Sequence, residues 1–460
     1  MTPDGSKNEE VTAVSGQAGK RAIVLGGSVA GLFAARVLSE SYSRVLVVDR
    51  DVLSGVRETR RSVPQGKQVH GLLAKGQQVI EELFPGFTEE IKADGAGIGD
   101  VAGNLRWYFN GKPLARDDSG LVAVTASRPF LEYHIRRRVQ ALTNVEFLEG
   151  HDILSLATAE NGRRIVGAVV SGPDGTEETL DGDLVVDAMG RGSRTPVWLT
   201  ELGYPRVEEE RLKIGIGYAT RHYRLKTDPY QGDISINVIA SPMLPRGAIC
   251  GKHGDTIELT AYGILDDHPP TDNEGFLAFI KSLPVPDIYD AISESEPLDD
   301  PVGYRFPANL RRRYEKLADF PEGFFVVGDS VCSFNPTYAQ GMTISALGAL
   351  AMRKHLRSGA GPRPKQFLKE LARDVLDAPW EMMNTGDLIF PDVPGKRSMK
   401  VKMGHAYAAK VLEAATRDGK VASAYLKMTG LVISPEALMS PSTLLRVLRN
   451  SRGEAAAVTR

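Results

Sequence analysis

The sequence predicts an α/β fold: a unit built on a βαβ element, interrupted by a mostly β domain and followed by a helical C-terminal region. Three observations predict it. Residues 21–50 read as strand, glycine turn, helix, strand and acid; strand-then-glycine stretches recur at 183–192 and 324–328; and between 212 and 305 the texture turns to β alternation.

The stretch RAIVLGGSVAGLFAARVLSESYSRVLVVDR carries the most information. Ala22 to Leu25 is wholly apolar, as a strand covered on both faces should be. Leu32, Ala35, Val37 and Leu38 then recur at helical steps, and a second apolar strand closes on Asp49. This is the βαβ dinucleotide-binding unit. Gly26 permits the tight turn, and Gly31 lets the helix pack on the sheet. The run Gly26, Gly27, Ser28, Val29, Ala30 and Gly31 presents helix N–H groups to a pyrophosphate. Asp49, 18 residues beyond Gly31, is placed to accept from an adenosine ribose. Ser28 replaces the second glycine of the pattern, where a small hydroxyl can still donate.

The totals bound the rest. The chain predicts two or three domains, and its apolar and charged fractions of 42% and 25% are those of an ordinary soluble protein. A net charge of −2 gives no electrostatic reason to expect nucleic acid as a partner. Cys250 and Cys332 match no disulfide framework or metal spacing, so a reducing cytoplasm is the expected setting. Residues 1–20 read as a disordered tail, neither signal peptide nor anchor, and no run is long enough to span a membrane.

In chain order, the polar segment 51–75 carries Arg57, Arg60, Arg61 and His70. It reads as a loop folded over a ligand with an arginine near phosphate, or as a solvated basic loop; His70 reads as structural. Residues 104–115 form a hairpin about Asn110-Gly111. Residues 128–142 form a helix whose Leu131, Ile135 and Val139 face inward, with Arg136, Arg137 and Arg138 on a solvated face. Strands follow at 145–148, 165–171 and 178–180. The stretch DLVVDAMGRG at 183–192 suits contact with an already bound cofactor better than a second nucleotide site. Alternation marks strands around Ile216, Ile236 and Leu259, with a helix over 273–282. The chain returns through a buried strand at 324–327, the loop Gly328-Asp329-Ser330, and a helix over 340–356. Residues 363–460 are helical, and the last helix, with Leu444, Leu445, Leu448, Arg446 and Arg449, is amphipathic and basic. Packing on the body is its favoured use; weak membrane-surface contact is the other.

The ordered set GGSVAG…VVDRD, DLVVDAMGRGSR and VVGDSVCSFNPTYAQGMTISALGA resembles the FAD-dependent monooxygenases built like p-hydroxybenzoate hydroxylase. It is most similar to the branch holding squalene epoxidase and the bacterial polyether alkene epoxidases. The resemblance implies a Rossmann-like FAD-binding domain of the glutathione reductase type over 21–103, 120–205 and 320–362. A β-rich substrate domain would take 104–119 and 206–319, and a helical region 363–460. It also implies site residues. Asp49 and Arg50 would meet the adenosine, and Ile153 would meet adenine. Gly328 and Asp329 would hold ribityl or ribose hydroxyls, and Pro336, Gly341 and Met342 would line the isoalloxazine. Arg128 would approach the flavin from the other side. Asp187 would belong to the middle motif, which matches loosely, reading Asp187-Ala188 for the usual Asp-Gly.

No catalytic triad, paired carboxylates or metal cluster can be read from the sequence, so no residue is assigned a catalytic role. The resemblance implies that the flavin carries the chemistry: reduced by NAD(P)H, directly or through a separate reductase, it reacts with O2 to a C4a-hydroperoxide. The implied function is epoxidation or hydroxylation of a hydrophobic natural-product intermediate in a pocket between the β domain and the flavin. Ile236, Val238 and Tyr262 are candidates for that pocket. Alternatives are an aromatic hydroxylase, a prenyl reductase of the same scaffold, and a non-catalytic flavin-binding module. A halogenase would need a tryptophan-rich signature that is absent around Trp107, Trp198 and Trp380.

Overall fold

The computed structural model describes residues 18–359 and 361–451. Five parallel strands form the central sheet, in the order Phe324–Val326, Leu184–Asp187, Gly19–Leu25, Tyr42–Asp49 and Val145–Glu149. Ile23, Val24, Val47, Val186 and Phe325 are all fully buried. A parallel sheet with both faces covered requires such apolar strands, and each full burial contributes roughly 1.5–3 kcal/mol. The helix Val29–Leu38 crosses from the first strand to the second and packs against the helix Gly341–Leu356. The chain leaves Gly19–Leu25 toward one edge of the sheet and later fills the other. The strands' C-terminal ends therefore meet at a topological switch point, where such sheets bind ligands.

The predicted tail does not extend to residue 20. Residues 1–17 lie outside the described residues, but Gly19 and Lys20 already belong to the first strand. Asp183 holds them there, its Oδ2 accepting from the N–H of Lys20 at 2.7 Å and of Arg21 at 2.9 Å. An antiparallel ribbon of Asp152–Ala159, Arg164–Ser171 and Glu177–Asp181 flanks the sheet.

The second sheet has nine strands among the described residues. Its middle runs Val302–Arg312, Glu209–Arg224, Thr256–Gly263, Arg246–His253, Ser235–Ile239 and Leu105–Phe109. The predicted hairpin is present: Asn110 and Gly111 have φ of 50° and 70°, both positive as a type I′ turn demands. One face of the sheet is covered by the helices Asn273–Lys281 and Asp287–Ser293, and the other looks toward the parallel sheet.

That two-sided cover corrects two sequence-derived positions. Ile236 and Val238 are fully buried, but they pack with Ala248, Cys250, Leu259 and Phe276 under the helices, not in the cavity. Side chains alternate along each strand, so the cavity face is carried by Tyr218, Thr260, Tyr262 and Ile249 instead. Of the three candidates only Tyr262 faces the cavity.

The helices Pro364–Leu371 and Asp377–Asp387 dock on both units. Trp380 donates through Nε1 to Glu210 at 3.1 Å, and buried Arg311 pairs with Asp377 at 2.5 Å. Gly419–Thr429 and Pro441–Asn450 pack with Met399–Ala415 around Val411, Val421 and Val447. Leu445 and Leu448 stay exposed on the last helix. No helix among the described residues is long and apolar enough to cross a membrane.

Candidate functional site

The switch point opens into a cavity of about 510 Å3 between the two sheets. The glycine turn forms one end. Gly26 has φ of +103°, and a Cβ there would stand 2.7 Å from the Ala188 carbonyl oxygen. A Cβ on Gly31 would fall 1.8 Å from the Gly26 oxygen, so the helix can close on the turn only with glycine at 31. Ser28, Val29 and Ala30 line the cavity beside Gly26, while Gly27 and Gly31 brace the turn from behind.

Asp49 lines this end of the cavity and holds the glycine turn. Its Oδ2 accepts from the Gly27 N–H at 2.7 Å, and Oδ1 accepts from the Asp51 N–H at 2.8 Å. Arg50 and Ile153 line the same end. Ser28, in place of the second glycine, is tied down: its hydroxyl donates to Glu132 Oε2 at 2.8 Å and accepts from Arg128 Nη2 at 3.0 Å.

Glu132 was invisible to sequence reasoning. It sits on the helix Arg128–Gln140, N-capped by Ser127, with its side chain 6% exposed. Burial pushes its carboxyl up, but the guanidinium groups of Arg128 and Arg60 and the Ser28 hydroxyl together hold it below the ordinary range. Arg60 contacts Glu132 at 2.7 Å, Asp51 at 3.0 Å and Asp49 at 3.3 Å. It braces carboxylates and is spent there, so it is not the phosphate-facing arginine of the loop. Arg136, read as solvated, is buried in the same cluster, 3.5 Å from Glu132. Arg128 does line the cavity.

Within the segment between 51 and 73, residues 62–71 fold along the cavity, while Arg57 and Arg61 stay exposed. Val69 N–H donates to Thr260 Oγ1 at 3.0 Å, and Gln68 Oε1 accepts from Thr220 at 2.7 Å, stitching the loop to the β sheet. His70 lines the cavity, with Nδ1 at 2.7 Å from the Gln68 carbonyl. Burial, then the nearby Arg128 charge, push its pKa down to about 4. A neutral ring donating from Nδ1 leaves Nε2 as an acceptor.

Asp187 does not reach the cavity. It is fully buried, accepting from Met189 N–H at 2.9 Å, Ser330 Oγ at 3.0 Å, Thr195 Oγ1 at 2.6 Å and Ser193 Oγ. Its role is to hold the arc 188–192 against the 328–330 loop, and Ala188, Met189, Gly190, Arg191 and Gly192 line the cavity in its stead. Gly328, with φ of +61°, sits against Ala30, where a Cβ would stand 2.6 Å from the Ala30 Cβ. Asp329 lines the cavity; burial pushes its carboxyl up, and Arg128 and Arg191 oppose the shift.

At the other end, Pro336, Thr337, Ala339, Gly341 and Met342 line the wall. Asn335 holds their turn, its Oδ1 accepting from the Thr337 N–H at 2.9 Å and hydroxyl at 2.7 Å. The helix Gly341–Leu356 points its N-terminus here, and a Cβ on Gly341 would meet nothing within 4 Å. Gly192 is equally open.

These features fit FAD. Glycines at 192 and 341 leave the cavity's width free, a helix N-terminus stands at each end, and carboxylates at Asp49 and Asp329 flank the space between.

The fold is shared with known flavoenzymes. It matches the flavin-dependent brominase Bmp2 with a TM-score of 0.65 and 14% identity, covering 94% of this chain and 98% of that one. A flavoprotein/dehydrogenase from Cytophaga hutchinsonii matches at 0.66 and 13%, with the same coverage. PqsL, a probable FAD-dependent monooxygenase from Pseudomonas aeruginosa, matches at 0.61 and 15%, over 80% of this chain and 94% of its own. At such identities the likeness is one of fold. In sequence, the chain is 35% identical over 391 residues to Protein Rv3254 of Mycobacterium tuberculosis, spanning 80% of each. No family model matches the chain.

Proposed function

We propose, for a chain that belongs to the same family as Protein Rv3254 of Mycobacterium tuberculosis, the function of an FAD-dependent monooxygenase. It would use O2 and reducing equivalents from NAD(P)H, direct or relayed by a reductase, to epoxidise or hydroxylate a hydrophobic, unsaturated small molecule. The cytoplasm, where NAD(P)H is made, suits that need. The observation that carries the reading is one continuous cavity. It runs from the glycine turn, past Asp329, to a turn and helix N-terminus facing a largely aromatic sheet.

On this reading the N–H groups after Gly26 would take the pyrophosphate, Asp49 a ribose hydroxyl and Asp329 the ribityl chain. Bound there, FAD would supply the oxygen-activating chemistry. The protein's own part is positional and electrostatic. The N-terminus of Gly341–Leu356 would favour negative charge at the flavin's pyrimidine end. The β-rich domain, 104–119 and 206–319, would roof the site, and its buried Tyr218, Tyr262 and Phe306 would keep water from the reacting centre. Alkene epoxidation is favoured by the motif resemblance and by the apolar character of this wall. The sheet strands that face the cavity bring tyrosines, Thr260, Ile249 and Phe306 to it but no carboxylate or histidine, and an alkene needs no proton transfer.

The test is incubation of FAD-loaded protein with a reducing system, labelled O2, bromide, and a panel of lipophilic polyenes and phenols. One labelled oxygen in an epoxide, opened by acid to a diol, is the expected product. Labelled catechols alone move the protein to the aromatic hydroxylases, brominated products to the halogenases, and saturated products formed without O2 to the reductases. Protein that takes up no FAD ends the proposal.

A further inference from the structure

The sheet wall of the cavity carries a row of side chains in cross-strand register. Tyr304 pairs with Tyr218, and Tyr218 with Tyr262, across three adjacent strands. Ring centroids lie 6.5 Å and 6.2 Å apart. The fourth position in the row is Gly247, opposite Tyr262. A Cβ there would stand 2.3 Å from the Tyr262 ring, so glycine lets the ring lie flat across its neighbour.

The hydroxyls of the two most buried members are unbalanced. Tyr218 is 8% exposed, and its hydroxyl is buried with no hydrogen-bond partner among the described residues. Tyr262 is 2% exposed, and its oxygen accepts the Ala240 N–H at 3.0 Å. The Tyr262 proton itself has no acceptor in the hydrogen-bond network of the described residues. Two tyrosines that line one cavity thus carry hydroxyl protons with no acceptor among the described residues, on a wall completed by Ile249, Thr260, Tyr304 and Phe306. Buried donors are almost always satisfied, and an unmade bond costs free energy. A ligand atom is the natural partner.

From this we infer that Tyr218 and Tyr262 form a two-donor site for the neutral carbonyl oxygen of a flat, unsaturated substrate, which rests on the monooxygenase reading for where the molecule reacts. Charge decides what kind of acceptor. Burial pushes Tyr262 up to about 12 and Tyr218 well above 10, with Tyr262, Tyr304 and Asp387 adding to the shift at Tyr218. Both phenols stay protonated and donate. The burial that disfavours a phenolate at Tyr218 also disfavours a carboxylate stripped of water beside it. A ketone, ester or quinone oxygen accepts two O–H bonds without bringing charge. The aromatic row favours a planar skeleton stacked along the wall.

The experiment compares 2-acetylnaphthalene, 2-ethylnaphthalene and 2-naphthoate on the full-length protein, by equilibrium dialysis and by the absorption change of bound flavin. The ketone should bind about tenfold more tightly than the isosteric hydrocarbon, as for a buried hydrogen-bonded pair. Tyr218→Phe should remove most of that preference while leaving the affinity for the hydrocarbon and the FAD content unchanged. Tyr262→Phe is the second variant, expected to reduce the preference as well. Equal affinities in the wild type, a preference surviving both substitutions, tighter binding of naphthoate, or binding of no probe would each overturn the site. FAD content separates the two ideas: loaded protein blind to the carbonyl sinks this inference alone. Protein that takes up no FAD but prefers the ketone sinks the cofactor reading alone.

Discussion

Asn335 and Asp387 are joined in a buried pair, Nδ2 donating to Oδ1 at 3.0 Å, that ties a C-terminal helix to the cavity wall. The same Asn335 caps the Pro336-Thr337 turn with its Oδ1, and Asn309 donates to the other Asp387 oxygen at 2.9 Å. Burial, partly offset by those amides, pushes Asp387 up to about 6. A raised carboxylate contributes stability that is fully present below its unfolded pKa, near 4, and is lost as pH rises through 6. Wild-type stability should thus fall between about pH 4 and 6 by up to roughly 3 kcal/mol relative to Asp387→Asn. Urea unfolding of both proteins across that range checks it, and parallel pH profiles would show that Asp387 does not titrate there.

Asp49→Asn should lower FAD affinity by about 1.5–3 kcal/mol, as for a lost hydrogen bond to a charged acceptor. Asparagine is the better probe than alanine, because Asp49 also accepts the Gly27 N–H and one carbonyl oxygen can keep that contact. Titration of apoprotein reads the change. An unaltered affinity would show that Asp49 serves the turn only.

Arg60→Met should destabilise the protein by about 3 kcal/mol, the lower end for breaking a buried ion pair, because Glu132 keeps Ser28 and Arg128. Arg61→Ala, on the exposed side of the same loop, should stay within about 0.5 kcal/mol. Denaturant midpoints compare the two. Similar losses in both would mean that Arg60 is not the brace.

Gly341→Val should separate stability from function. A Cβ at 341 meets nothing within 4 Å, so unfolding free energy should move by about 0.5 kcal/mol or less. The branched side chain would stand in the cavity at the helix N-terminus, and turnover should fall far more than melting temperature. A variant that turns over normally with FAD bound would remove the flavin from this end.

What the sequence determined by itself was local. The strand–turn–helix of 21–38 is encoded in contiguous residues, because a tight turn with positive φ and a helix closing on it leave only glycine at 26 and 31. The Asn110-Gly111 hairpin is legible for the same reason. Period-2 alternation revealed the strands of the β domain but not which face meets the cavity. Both faces are buried, so Ile236 and Tyr262 read alike until the helices Asn273–Lys281 and Asp287–Ser293 cover one of them. Long-range electrostatics belonged wholly to the tertiary structure. Glu132 finds Arg60 at a separation of 72 residues, Asp387 finds Asn335 at 52, and Asp187 finds Ser330 at 143. No local pattern marks such partners, because their cost and their value arise only when folding removes water from both at once.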